Sequence, residues 1–129
     1  MSESHRFSKH YTRAEARALL PQVRRWLVEL RRQSRTVSRA DERSAPLLAE
    51  GLDLGGGRVE DHIRALAGLQ ELAREFEQRE IQIKDLERGL VDFPSLRGDR
   101  EVFLCWREGE DDIEYWHDLD SGYQGREPV

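Results

Sequence analysis

The chain has 129 residues, a formal net charge of −5, and 37% hydrophobic and 36% charged side chains. A chain of this length is predicted to form a single domain over residues 1–129. Its hydrophobic share lies below the roughly 45–50% typical of globular domains, so its core is predicted to be thin or to be completed by a second copy of the chain. The single cysteine excludes an internal disulfide, and no apolar run is long enough to cross a bilayer. We expect a cytoplasmic protein without a secretory signal, and the negative charge argues against a general nucleic-acid binder.

The first predicted element is a long helix over residues 12–40, after a polar and irregular start. Thr12 and Glu15 have the spacing of a capping box, and Pro21 is expected to bend the helix. Beyond the cap, apolar side chains recur at helical spacing, and arginines fill the opposite face. The apolar stripe comprises Ala16, Leu19, Leu20, Val23, Trp26, Leu27 and Leu30.

Residues 41–58 are predicted to form a loop, and residues 59–80 a second helix. Pro46, Gly51 and Gly55–Gly57 interrupt the helical periodicity of the loop. The second apolar stripe suits packing against the first helix as a long antiparallel hairpin. Two helices of this length cannot fully bury their apolar stripes against each other. We therefore expect a homodimer through the helical hairpin. The stripe comprises Val59, Ile63, Leu66, Leu69, Leu72, Ala73 and Phe76.

Short alternating segments fill the C-terminal region, residues 81–129. They predict a small antiparallel sheet of three to four strands, at 81–83, 90–94, 101–107 and 113–117. The predicted fold class is therefore α+β, with the helical hairpin followed by this sheet.

The register of the last hairpin follows from its turn. If Glu110–Asp111 forms the centre of the turn, Trp106 faces Tyr115 as an aromatic pair. Cys105 and His117 then point to opposite faces of the sheet. A bulged three-residue turn would shift this pairing by one residue.

A distinctive series of residues runs through the C-terminal half and the start of the chain. The series resembles a bacterial family catalogued as domain of unknown function 2203. The resemblance implies a small soluble bacterial protein and brings no established activity and no catalytic residues. It rests on Phe7, Thr12, Glu15, Ala16, Leu19–Pro21, Lys84–Asp85, Gly89–Pro94, Cys105–Trp106, Gly109–Glu110, Ile113, Tyr115–His117, Gly122 and Arg126.

Four residues of the predicted sheet are candidate metal ligands. A borderline metal such as zinc binds thiolate, imidazole and carboxylate groups. The spacing matches no standard zinc motif, and the predicted register separates the thiol from the imidazole. The alternative is a buried thiol beside a hydrogen-bonded histidine, which the pattern favours. The candidates are Asp92, Cys105, Glu110 and His117.

A partly overlapping polar cluster combines both signs of charge with a titratable imidazole. Carboxylates beside a histidine and an arginine can perform acid–base chemistry, or they can form a salt-bridge network that fixes the tail. For Arg126 the two possibilities are a structural clamp and an anion-binding group. The cluster comprises Asp85, Asp92, Glu110, His117 and Arg126.

The sequence thus favours a homo-oligomeric structural or interaction module. The alternative is a small metal-binding protein or enzyme with a site at the C-terminal sheet near His117. Acidic residues interleaved with the arginines of the first helix argue against phosphate binding there. The sequence identifies no reaction, ligand or cofactor, and a divalent metal is the cofactor it leaves open.

Overall fold

The computed structural model describes the backbone of residues 5–49 and 56–129 and the side chains of residues 5–39 and 60–129. Within these ranges, two helices precede an antiparallel sheet of five strands. The helices are α1 (Arg13–Ala49) and α2 (Gly56–Gln78). The strands are β1 (Gln82–Asp85), β2 (Leu90–Arg97), β3 (Arg100–Arg107), β4 (Tyr115–Asp118) and β5 (Glu127–Pro128). The α+β class is confirmed, and the prediction of three to four strands is wrong by at least one.

Contacts divide the chain into two compact units. One unit combines Met1–Arg25 with Phe76–Val129, and the other is Trp26–Glu75. The first contains the whole sheet, and the second is formed by the helices. The single domain over residues 1–129 stays a prediction. In the described part of the chain, neither helix combines the length and hydrophobicity that a membrane span requires.

The capping box opens α1 as predicted. The Thr12 N–H donates to Glu15 Oε1 at 2.8 Å, and the Glu15 N–H donates to Thr12 Oγ1 at 3.1 Å. Each side chain therefore satisfies a backbone donor that the first turn leaves free. The predicted stripe contributes the buried side chains Ala16, Leu20, Val23, Leu27 and Leu30.

The predicted loop over residues 41–58 is largely helical instead. The first helix continues through Ala49, and α2 begins at Gly56. Alanine and leucine, which dominate residues 45–49, are strong helix formers. Pro46 removes only one backbone donor, and the periodicity argument gave it too much weight. The rest of the predicted loop, residues 50–55, lies outside the described residues.

The second helix ends at Gln78 because the chain turns left-handed at Glu80, whose φ is 58°. The Ile81 N–H donates to the Phe76 carbonyl, and the Glu80 N–H donates to the Glu77 carbonyl, both at 3.1 Å. This is the Schellman pattern, which usually has glycine at the left-handed position. The Glu80 carboxylate accepts bonds from the hydroxyl and the N–H of Ser8, and these contacts offset the backbone strain.

The sheet is a meander in which every strand pairs with the next one along the chain. Strand β3 lies at its centre, and Val102–Trp106 is buried without interruption. A strand buried on both faces needs cover on both sides, which agrees with its continuous hydrophobic sequence.

The predicted register of the β3–β4 hairpin is wrong by one residue. Cys105, not Trp106, pairs with Tyr115. Residues 108–114 do not form a two-residue turn, because the Trp106 indole N–H donates to the Glu110 carbonyl at 2.9 Å. The Arg107 N–H also donates to Glu110 Oε1 at 2.8 Å. These bonds fold residues 108–114 back against the end of β3 and shift the β3–β4 register by one residue.

The fifth strand lies in the tail, beyond the last strand that the sequence predicted, at 113–117. Glu127 and Pro128 pair with Trp116 and Tyr115 on β4. The Val129 N–H extends this pairing to the Glu114 carbonyl at 3.0 Å. Two residues are too short to carry an alternation signal, so the strand is set by its partner.

Truncation of the central indole tests the burial of β3. Trp106 is 0% exposed, so Trp106→Ala should lower the free energy of unfolding by about 3–5 kcal/mol. Leu96→Ala, at a side chain that is 42% exposed, should cost less than about 1 kcal/mol. Urea titrations followed by circular dichroism measure both variants. A loss below about 1 kcal/mol for Trp106→Ala would contradict a packed core at this position.

Two glycines with similar backbone angles provide a matched test of the turn before β2. Gly89 has φ 68° and Gly98 has φ 63°, but a Cβ at Gly89 would stand 2.5 Å from Glu108 Cβ, whereas one at Gly98 meets nothing within 4 Å. Gly98→Ala should therefore cost only the left-handed strain of roughly 1–2 kcal/mol. Gly89→Ala should cost about 1–3 kcal/mol more, because it adds an overpacking penalty. Equal losses in urea titrations would contradict the close approach.

Candidate metal centre

Three adjacent strands bring Asp92, Cys105 and His117 to one face of the sheet. Asp92 on β2 pairs directly with Cys105 on β3. Cys105 pairs with Tyr115 on β4, and His117 lies two residues beyond Tyr115. Paired residues, and residues two apart on one strand, share a face. The expectation that Cys105 and His117 point to opposite faces is therefore wrong, because it depended on the shifted register.

The ligand-type atoms of these three residues, the metal triad below, lie close together. A carboxylate oxygen of Asp92, the Cys105 Sγ and a ring nitrogen of His117 all lie within 4.8 Å of one another. The residues are 2%, 1% and 2% exposed. Burial of an acid, a thiol and an imidazole in one place demands mutual pairing or a bound ion.

The hydrogen bonds of His117 fix the orientation of its ring. Nδ1 lies 2.7 Å from the Asp118 carbonyl, and Nε2 lies 3.0 Å from Asp92 Oδ2. A carbonyl only accepts, so Nδ1 carries a proton and Nε2 faces the carboxylate. Burial lowers the pKa of His117, but the bonds to Asp92 and Asp118 and the Asp92 charge outweigh it and raise the pKa. A ring held at Nδ1 by a carbonyl is the arrangement in which Nε2 serves as a metal ligand.

Cys105 is a neutral thiol in its present surroundings. Burial, followed by the charge of Asp92, raises its pKa to about 12, although the Arg126 guanidinium acts in the opposite direction. Such a thiol is a poor nucleophile, since the thiolate is the reactive form. A metal ion bound at the triad would stabilise the thiolate.

A cavity of about 230 Å³ reaches the metal triad. All three triad residues line it, and Leu90 and Tyr123 belong to its other walls. The exposed residues Lys84 and Asp120 also line it. The triad is therefore buried against protein on one side and open to a small space on the other.

Glu110 and Arg126 form a separate pair that holds the tail. Arg126 Nη1 lies 2.9 and 3.1 Å from the two carboxylate oxygens of Glu110, and Nη2 donates to the Tyr123 hydroxyl at 3.2 Å. The guanidinium carbon lies 4.0 and 4.1 Å from the ring centroids of Tyr115 and Tyr123. These contacts are those of a clamp, and the structure places Glu110 outside the metal triad.

The remaining member of the predicted polar cluster, Asp85, lies elsewhere. Its Oδ1 accepts the Arg88 N–H at 3.0 Å, within the turn that follows β1. The Arg88 side chain also lies 3.7 Å from its Oδ2. Asp85 therefore stabilises a turn. The structure joins Asp92 to His117 and Glu110 to Arg126, and the charges of both Asp92 and Arg126 act on the pKa of Cys105.

A second group of ligand types was missed by sequence reasoning. His5, His10 and Glu101 also place ligand atoms within 4.8 Å of one another. Glu101 accepts the backbone N–H groups of Arg6 and Phe7 at 2.7 and 3.0 Å, and His10 Nε2 lies 2.7 Å from its Oε2. The group anchors the N-terminal segment to β3. No local pattern could reveal it, because Glu101 lies 91 positions beyond His10.

Comparison with known proteins identifies the family and nothing further. The chain matches the family described as Uncharacterized conserved protein (DUF2203) over residues 9–129. No curated protein matches the sequence, and no solved structure matches it. With the match covering nearly its whole length, the chain belongs to the DUF2203 family, as the residue series of its C-terminal half indicated.

Proposed function

We propose that this protein binds one divalent metal ion of the zinc class through Asp92, Cys105 and His117. The observation that carries the proposal is the convergence of a carboxylate, a thiol and an imidazole from three adjacent strands at one cavity. The ion would supply a Lewis-acid centre with one coordination position open to the cavity.

The geometry of the metal triad fits such an ion. Ligands of a tetrahedral zinc ion lie about 2.0–2.3 Å from the metal, so they stand roughly 3.3–3.7 Å apart. The triad atoms lie within 4.8 Å of one another, and Nε2 is already 3.0 Å from Asp92 Oδ2. Rotations of side chains within the same pocket can therefore close the site.

The donor set favours zinc-class ions over hard cations. Magnesium and calcium prefer six or more oxygen ligands, whereas thiolate, imidazole and carboxylate together suit zinc and cobalt. The reducing cytoplasm that we expect for the protein would keep the Cys105 thiol available for such an ion.

The cost of the arrangement argues against a purely structural role. A buried Asp–His pair loses hydration, and apolar side chains of similar volume are often as stabilising or more so. An ion-binding role explains why a thiol, an acid and an imidazole lie together among the mostly apolar buried residues of the sheet.

Cobalt titration of the chelator-treated protein tests the proposal. We expect one equivalent of Co²⁺ to bind, with visible d–d bands and a near-ultraviolet thiolate-to-cobalt charge-transfer band. Binding must displace the Cys105 proton, whose pKa is about 12, so affinity should rise with pH by about tenfold per unit, and more steeply where His117 is charged and must also release its Nε2 proton. Isothermal titration in buffers of different ionisation heat counts the released protons.

Variants of the metal triad and one control distinguish it from other binding sites. Cys105→Ser should abolish the charge-transfer band, and Asp92→Asn should weaken Co²⁺ binding at least about tenfold. His10→Gln alters the group that anchors the N-terminus and should leave the affinity unchanged. An unaltered spectrum in Cys105→Ser, or the absence of stoichiometric binding to the wild type, would overturn the proposal.

A homodimer through the helices is the second candidate function, and exposed apolar side chains favour it. Val28, Ile63 and Leu66 are 55%, 59% and 38% exposed in the unit that the helices form. We infer that a second copy of the chain covers them. Antiparallel pairing of the helices within one chain is supported by the Gln33 side chain, which lies 3.2 Å from a Cβ built on Gly68.

Light scattering at micromolar concentration tests the dimer. The wild type should have twice the 15.1 kDa mass of the chain. Ile63→Glu should yield monomers with unchanged circular dichroism, because a charge in an apolar interface is costly to desolvate. Gln124→Glu, which places the same charge at an exposed position outside both α1 and α2, should remain dimeric. A monomeric wild type would contradict the proposal.

A further inference from the structure

We propose that the cavity beside the metal triad binds a small monocarboxylate, with one carboxylate oxygen at the open coordination position and the other paired with the Lys84 ammonium. This inference rests on the proposed metal site and names its ligand class. It follows from the volume of the cavity, its charges and the surroundings of Lys84.

The volume limits the ligand to a few heavy atoms. The cavity measures about 230 Å³, whereas one water occupies about 30 Å³ of the liquid. Sites for drug-sized molecules span about 300–1,000 Å³. A short organic acid fits this space entirely, whereas a nucleotide or a peptide segment would have to extend out of it into solvent.

Lys84 is the cation available at this cavity. Its Nζ lies 5.2 Å from the centroid of the Phe103 ring, and that ring lies 5.5 Å from the His117 imidazole. Among the residues whose side chains the structure describes, no acceptor forms a hydrogen bond or ion pair with the Lys84 ammonium. The ring therefore holds the ammonium at the cavity that the metal triad lines, where its three N–H donors are open to an added acceptor.

Charge balance favours an anion with a single charge. A dication bound by the Asp92 carboxylate and the Cys105 thiolate forms a neutral centre, so an added carboxylate leaves one negative charge that Lys84 offsets. A dianion such as phosphate would need a further cation. The Arg126 guanidinium cannot supply it, because it is held by Glu110 and Tyr123. Asp120 also lines the cavity and would repel added negative charge.

Acetate titration of the cobalt-loaded protein tests the proposal. Acetate should shift the visible bands saturably and bind at least about tenfold more tightly than neutral acetamide, because only the anion pairs with Lys84. Inorganic phosphate should bind more weakly than acetate. Tighter binding of phosphate, or the same affinity for acetamide as for acetate, would overturn the monocarboxylate assignment.

A lysine variant with a matched control assigns the anion contact. Lys84→Gln should weaken acetate binding at least about tenfold and leave the Co²⁺ affinity unchanged. Lys9→Gln removes the other lysine of the chain and should leave both affinities unchanged. Unchanged acetate affinity in Lys84→Gln would overturn this inference while the metal site stands. Absence of Co²⁺ binding to the wild type would overturn the metal site and this inference together.

Discussion

The pairing of β3 with both of its neighbours is the constraint on which the candidate site depends. Asp92 lies opposite Cys105, and Cys105 lies opposite Tyr115, two residues from His117. A slip of one residue at either pairing would turn one of these groups to the other face of the sheet. The register is held by bonds outside the ladder, above all the Trp106 indole bond to the Glu110 carbonyl. The buried indole therefore both fills the core and aligns the metal triad.

Local signals in the sequence predicted the elements well. The Thr12–Glu15 capping box opens α1 through both of its expected hydrogen bonds, since its partners are three residues apart. The alternating segment at 101–107 is β3 almost to the residue. Pro46 misled the prediction, because one lost backbone bond is small beside the cooperativity of a long helix. The left-handed Glu80 was not predictable either, since its carboxylate is held by Ser8, 72 positions away.

The candidate site was only half predictable for the same reason. The sequence identified the right types of residue. Asp92 stands out as an acid within the apolar run of β2, and His117 stands out as a histidine near the end of β4. Their convergence was not predictable, because the loop over 108–114 folds through side-chain bonds that no turn rule contains. Glu110 was included among the candidate metal ligands only because a carboxylate can bind such a metal. Its carboxylate is instead consumed by Arg126 and by the N–H of Arg107.

The contacts of the Arg126 clamp and the proposed metal site share one part of the structure. Arg126 is held between the rings of Tyr115 and Tyr123, and its guanidinium also donates to the Tyr123 hydroxyl. Tyr123 in turn lines the cavity that reaches the metal triad. The contacts that fix the tail therefore also hold Tyr123 in one wall of that cavity. A wall that is already ordered lowers the entropic cost of binding a ligand. Because the clamp holds Arg126, Lys84 is the cation among the described residues that line the cavity, and the proposed ligand class follows from that distribution of charges.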